Sequence, residues 1–296
     1  MRDPRTIPIP ISTAPRRPES TRLGEARQAV AGRTVAVVSG KGGVGKTSLA
    51  VNLALALAEN GARVLLVDGD FALGSVDVLC GLAPHRNVSA YLAGACPLAG
   101  TLAVGPRGIA VLPSASGRSD LSELDSPTRT RLLEDLGTLS RRFDWTVVDL
   151  PSGIGSTGMA LARWAEIPLL LTTPDPAALL HAYATAKLLA ARGRTPRLVV
   201  NRVRTEAEGA EVARRFARTA SFHLGAAPEL WGTLPEDPAA QRAAADQDPF
   251  VVAAPRAPVS VRVRELAHRL GTDEHPQGSA HAGGDRKDLF LPVPAA

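Results

Sequence analysis

Eight consecutive residues, Gly40-Lys41-Gly42-Gly43-Val44-Gly45-Lys46-Thr47, combine sharply turning backbone with two ammonium groups and a hydroxyl, and Ser48 follows them. Glycines in such a run let peptide N–H groups turn inward around an anion, and a helix opening directly after them adds its positive N-terminal end. That is the chemistry of a phosphate-binding loop: Lys46 is placed to reach the β- and γ-phosphates of a nucleotide, and the Thr47 hydroxyl to ligate Mg²⁺. Acids further along fit the same chemistry. Asp68 and Asp70 stand at the end of the apolar run Val64-Leu65-Leu66-Val67, and Asp149 at the end of Trp145-Thr146-Val147-Val148. A carboxylate in the position of Asp149 can hold Mg²⁺ directly or through water. Pro151-Ser152-Gly153-Ile154-Gly155 follows, where the Gly153 N–H can sense a γ-phosphate and release the loop once that phosphate leaves. The plainer alternative for all three acids is a helix-capping or surface role.

These residues need strands ahead of them and helices behind. Thr34 to Ser39 is a short β-branched apolar segment that reads as a buried parallel strand. Leu49 to Asn60 reads as a helix with almost no polar face. Similar apolar strands are expected at 63–67, 109–113, 145–150, 168–173, 197–202 and 230–234, alternating with helical stretches. Ser126-Pro127 is read as an N-cap followed by an N1 proline, opening a helix to about Arg142. A helix follows Pro174-Asp175-Pro176, and a last one spans Pro258 to Leu270. The pattern is that of an α/β protein with a doubly wound, mainly parallel sheet carrying helices on both faces.

The 296 residues suit one large domain between two tails. Residues 1–33 are rich in arginine and carry Pro4, Pro8, Pro10, Pro15 and Pro18, and read as a disordered basic arm with a short helix near Leu23–Val30. Residues 271–296, rich in Gly, Pro, His and charge, read as a second disordered tail. The net charge of +5 is spread through the chain, so it permits contact with anionic lipid or nucleic acid without calling for it. Arg214, Arg215 and Arg218 form the densest internal basic cluster, with Glu206, Glu208 and Glu211 just upstream, as on a solvated helix face. The two cysteines, Cys80 and Cys96, form no C-x-x-C pair, which points to a reducing, cytoplasmic compartment. No apolar run reaches a membrane span, so membrane contact is peripheral at most, at the inner face.

The second lysine, Lys41 directly after the first glycine, is the signature of the MinD/ParA class of P-loop ATPases, which the chain resembles over roughly residues 34–270. The resemblance implies a homodimer that closes around two ATP molecules with Mg²⁺, each Lys41 reaching the partner's phosphates. It also implies that Asp70 orients or deprotonates the attacking water while Asp68 sits near Mg²⁺ through water. Asn201, at a strand end, would hydrogen-bond the adenine edge, its amide offering both donor and acceptor, or else serve as a turn residue. The backbone of Pro235 and Glu236 would pack beside the base. Val76 to Leu82, Gly105 to Ile109, Leu112 to Gly117, and Thr173 to Pro176 with Ala182-Tyr183-Ala184 and Lys187 look most like flagellar-number regulators of the FlhG/FleN type. Ala72 and Ser75 replace the Gly and Asn usual there, and the second switch reads Asp-Leu-Pro-Ser-Gly. The implied function is a slow, partner-stimulated ATPase acting as a spatial switch on flagellar number or placement. Its activator would be a flagellar GTPase or a similar protein. The N-terminal element with which flagellar members stimulate such a GTPase is not matched by Arg22 to Ala29. Cell-division MinD and a DNA-partitioning ParA ATPase are the alternatives, nucleic acid being the less favoured ligand. Iron–sulfur carriers of the class need paired cysteines that this chain lacks.

Overall fold

The computed structural model describes residues 32–273 apart from Ser116, Ile154, Gly225 and Ala226. The basic arm and the C-terminal tail therefore lie outside the described residues, except that Gly32 precedes and Arg33 opens the first strand, and Gly271 to Asp273 belong to or follow the last helix.

Eight strands form one sheet: β1 (Arg33–Val38), β2 (Val64–Asp68), β3 (Ala103–Val104), β4 (Ala110–Leu112), β5 (Trp145–Asp149), β6 (Ile167–Thr172), β7 (Arg197–Val203) and β8 (Leu230–Pro235). Their order is β3-β4-β2-β5-β1-β6-β7-β8, and every pairing is parallel except β3 with β4. The doubly wound, mainly parallel sheet expected from the sequence is thus present. β3 was not anticipated, because two residues are too few to show a period. After β1 the chain crosses to β2 on one side, later inserts β5 between them, and then continues to β6 on the other side. The crevice at that reversal, outside the strand C-termini, is where ligands bind in such sheets.

Alternate residues of each strand feed two separate cores. Val35 and Val37 pack with α1 (Lys46–Glu59) and α10 (Pro258–Thr272), whereas Ala36 and Val38 face the opposite layer. That opposite layer comprises α4 (Ser126–Ser140), α5 (Ser156–Trp164), α6 (Pro176–Ala190) and α7 (Glu206–Leu224). Short helices α2 (Val76–Leu79), α3 (Val88–Leu92), α8 (Pro238–Ala245) and α9 (Phe250–Ala253) are also present among the described residues. α4 begins one residue earlier than its sequence indicated. Asp125 is the N-cap, its carboxylate accepting the Thr128 N–H at 2.8 Å, and Ser126 is already helical. A carboxylate serves this post well because it also answers the helix dipole.

The alanine- and leucine-rich α1 is buried almost throughout, as its lack of a polar face requires. Its one buried polar residue, Asn52, donates to the Ser48 carbonyl at 2.7 Å and accepts the Val251 N–H at 2.9 Å, so no buried amide group goes unpaired. α10 lies across α1 and buries Val259, Val263, Leu266, Ala267 and Leu270. Arg264 binds both carboxylate oxygens of Glu59 at the end of α1, at 2.6 and 3.1 Å, and this holds the Glu59 carboxyl below its usual range. The apolar stripe of the last helix is therefore committed to the core. No helix among the described residues is long and apolar enough to cross a membrane.

Candidate nucleotide-binding site

The loop from Gly40 to Gly45 joins β1 to α1 at the crevice. Its tip, Gly42 and Gly43, is exposed, whereas Val44 and Lys46 are buried against the body. α1 opens with Gly45 as N-cap, without a side-chain cap and without an acid in its first turn. Its leading N–H groups are thus left to an external anion. Gly45 has φ +96, and a Cβ there would stand 2.6 Å from Nδ2 of Asn201; conformation and space both demand glycine. Ser39 steadies the entry arm, its hydroxyl donating to the Lys41 carbonyl at 2.8 Å.

Three charged groups converge behind the loop. Lys46 is only 9% exposed; burial lowers its pKa, and Asp149 and Asp70 oppose that shift by attraction. Asp149 is buried at the end of β5, and burial raises its carboxyl from 3.8 to about 6 against the stabilising Thr47 hydroxyl bond and the Lys46 charge. Its Oδ1 has no hydrogen-bond partner among the described residues. A buried carboxylate oxygen left open, beside a threonine hydroxyl at a phosphate loop, fits Mg²⁺. Thr47 and Asp149 are the residues that would hold the ion. No cluster of three or more His, Cys, Asp or Glu occurs among the described residues, so phosphate and water oxygens would complete its shell. Asp70 stands on the loop after β2, its Oδ1 accepting the Leu73 N–H at 3.1 Å. It is near enough to Lys46 and Asp149 to perturb both.

Several expected residues have other occupations in this structure. Asp68, expected near Mg²⁺ through water, is fully buried and accepts N–H groups from Asp70 (3.3 Å) and Val76 (3.1 Å) as well as the Ser114 hydroxyl. Burial, then the nearby Asp149, pushes its carboxyl well above the usual range. Both its oxygens are taken up by the loop that carries Asp70, an occupation the water-mediated place near Mg²⁺ expected for it did not include. The Gly153 N–H, expected to sense a γ-phosphate, donates to the Ser39 carbonyl at 3.2 Å. Asn201 donates to the Val44 carbonyl at 2.8 Å and accepts the Arg202 N–H at 2.9 Å, so its amide braces the phosphate loop. Pro235 ends β8, and the Glu236 N–H is taken by the Val203 carbonyl at 2.9 Å. Lys41 forms an ion pair with Asp175, the N-cap of α6, and this lowers the Asp175 carboxyl. Asp175 in that role was not foreseen, although its place between Pro174 and Pro176 marked a helix start.

Within the basic cluster on α7, Arg214 pairs with Glu211 at 2.7 Å. Cys80 is buried and its thiol pushed up to about 12, first by burial and then by Asp77 and Asp68, which makes it unreactive.

Residues 31–271 match a family model described as ParA, with the words NUBPL iron-transfer P-loop NTPase. The chain is 35% identical over 240 residues to the antiactivator FleN of Pseudomonas aeruginosa, covering 80% of this chain and 86% of that one. It is 31% identical over 191 residues to the flagellum site-determining protein YlxH of Helicobacter pylori, covering 64% of this chain and 65% of that one. Among solved structures, the cell division ATPase MinD of Pyrococcus furiosus superposes with a TM-score of 0.66 at 25% identity, over 81% of this chain and 98% of that one. With the phosphate loop, the doubly wound sheet and these likenesses together, the chain belongs to the ParA/MinD family of P-loop NTPases.

Proposed function

We propose that this protein is a MinD-like ATPase that dimerises on ATP and acts as a spatial switch on flagellar number or placement. The likeness to FleN over most of both chains supports the flagellar branch. The observation that carries the switch itself is the placing of Lys41: its ammonium is turned away from its own loop to Asp175 at the rim, both partly exposed. A cation so placed is available to the phosphates of a second copy once Asp175 lets go. Iron transfer, which the family description mentions, is not carried over, because Cys80 is buried and Cys96 lies apart from it in sequence.

Lys46 and the opening N–H groups of α1 hold the β- and γ-phosphates, and their positive charge meets the negative charge that develops there. Thr47 and Asp149 would hold Mg²⁺, which when bound would supply neutralisation of phosphate charge. Asp70 orients the attacking water, and Asp68 acts behind it by fixing the loop. The adenine lies beside Asn201, Pro235 and Glu236; Asn201 keeps one N–H and one lone pair beyond its contacts with Val44 and Arg202. Gly153 reports the γ-phosphate by exchanging its Ser39 partner for it. Turnover is slow and raised by a protein activator.

Light scattering of the full chain with ATP, with ADP and with neither tests this reading: a dimer appears only with ATP. Lys41→Ala keeps its ATP affinity within about threefold, since no charge is lost from the chain's own phosphate cradle, and no longer dimerises. Equal dimerisation by this variant would refute the trans role. Asp70→Ala accumulates the ATP dimer, its turnover reduced by about 100-fold as for loss of a water-positioning group; a persistent monomer would contradict the assignment. Binding of the ATP dimer to arbitrary duplex DNA in a salt-sensitive manner, with none to a flagellar partner, would favour partitioning instead.

A further inference from the structure

The first turn of α5 directly follows the second switch loop, and its N-cap, Gly155, offers no side chain to satisfy it. The missing acceptor comes from a distant segment. Glu123 takes the Ser156 N–H on Oε1 at 3.1 Å and the Thr157 N–H on Oε2 at 3.2 Å, and Oε2 also accepts the Ser156 hydroxyl at 2.5 Å. Thr157 returns the contact, its Oγ1 accepting the Leu124 N–H at 2.9 Å. Arg129 bridges the same two segments, donating to the Leu124 carbonyl at 3.0 Å and the Ser156 hydroxyl at 3.1 Å. At its other end the segment holds the loop between β2 and α2, residues 69–75, which carries Asp70 and is the first switch loop of the proposed mechanism. Ala115 and Gly117 donate N–H groups to the Phe71 and Ala72 carbonyls at 3.1 and 2.8 Å, and the Ser114 hydroxyl binds Asp68.

We infer that residues 117–125, with Ser114 and Ala115 ahead of them, act as a strap through which the two switch loops move together, and that Glu123 is a positioning residue for hydrolysis. This rests on the ATP-driven switch proposed above. Glu123 acts through the α5 N-terminus, which fixes how far Gly153 stands from the γ-phosphate. The Ser114 end acts through Asp68, which fixes where Asp70 stands beside the attacking water. A carboxylate accepting helix N–H groups makes a strong, directional anchor, so a shift of one switch is passed along the strap to the other.

Gly155 supplies an independent probe. A Cβ there would come within 2.1 Å of Glu123 Oε1, and its three nearest atoms beyond its chain neighbours and its own helix all belong to Glu123, so Gly155→Ala bears first on this contact. In the full chain, Glu123→Ala is expected to leave Mg-ADP affinity within about twofold and KM unchanged while kcat falls about tenfold, the signature of an interaction needed in the transition state. Glu123→Gln, which keeps one acceptor oxygen, recovers part of that loss. Gly155→Ala lowers kcat in the native background and adds nothing in the Glu123→Ala background, because both remove the same interaction. Amide exchange gives a second readout: a non-hydrolysable ATP analogue protects 70–76 and 150–157 together in the native chain, and only the phosphate loop in Glu123→Ala. Additive losses in the double variant, or identical protection in Glu123→Ala and the native chain, would overturn the strap while leaving the switch intact. A native chain that neither hydrolyses ATP nor changes exchange at either loop would overturn the switch itself, and the strap with it.

Discussion

Replacing Lys46 by alanine is expected to weaken ATP and ADP binding by about 100-fold or more, roughly 3 kcal/mol, measured by titration calorimetry. The lysine is buried where the loop meets α1, and its ammonium has already lost most of its hydration. Bound phosphate would restore its partners, so its removal should take away a charge-assisted contact made in every nucleotide-bound state. ADP and ATP should suffer alike, since the β-phosphate is common to both. Lys41→Ala, one turn of the loop away, should spare both. Comparable binding by Lys46→Ala would place the phosphates somewhere other than this loop.

Asp149→Asn should lower ATP turnover by about 100-fold or more and abolish its dependence on Mg²⁺, as loss of a metal-holding carboxylate predicts. The same change should make the nucleotide-free protein more stable at neutral pH. Folding raises the Asp149 carboxyl from 3.8 to about 6, so the fold favours its un-ionised form. The stability contributed by that form is fully present below pH 3.8 and is lost as pH rises through about 6. At pH 7.5 the native chain carries the full cost of an ionised, buried carboxylate with an open oxygen, and asparagine does not. Thermal melts of nucleotide-free protein should therefore show Asp149→Asn above the native chain at pH 7.5, with the gap narrowing as pH falls toward 4. A variant less stable than the native chain at pH 7.5 would remove the reason for reading Asp149 as a carboxylate held ready for a cation. The opposed effects on stability and turnover are the usual mark of a site built against its own local preference.

What could be read beforehand depended on how far apart in sequence the interacting groups lie. The phosphate loop was legible because Gly40 to Thr47 is continuous and its chemistry is written in residue type. The placing of Asp149 at the end of β5 and of Asp70 just beyond β2 was legible because an acid after an apolar strand is a local pattern whose place in a parallel sheet is fixed by topology. The two-layer arrangement followed from the buried strands and from α1, which had to be covered on every side. Asn201 was found as a strand-end residue, yet its contact with Val44 spans 157 positions, and nothing near it in sequence names that partner. The same distance hid Glu123, which lies 33 residues from the helix turn it caps. Its role could have been suspected only from what is missing, a helix start at Gly155 with no capping side chain of its own. Asp125 was passed over for Ser126 because both residue types cap helices, and only the helix bonds decide between neighbours. Asp68 shows the limit from another side: its type and place suit an ion, but whether its oxygens face a ligand or the backbone depends on a loop conformation that the sequence does not spell out.

The helix that grows out of the phosphate loop is covered by the last helix of the domain, and the tie between Glu59 and Arg264 spans 205 positions. Synthesis runs from the N-terminus, so the whole apolar flank of α1 leaves the ribosome long before the segment that will cover it exists. Contacts this remote are closed late and slowly, and an uncovered flank of leucine and alanine is prone to wrong partners meanwhile. Nucleotide competence should accordingly arrive only after release of the full chain, and nascent chains halted before Pro258 should fail to retain ATP although every phosphate-contacting residue has already been made.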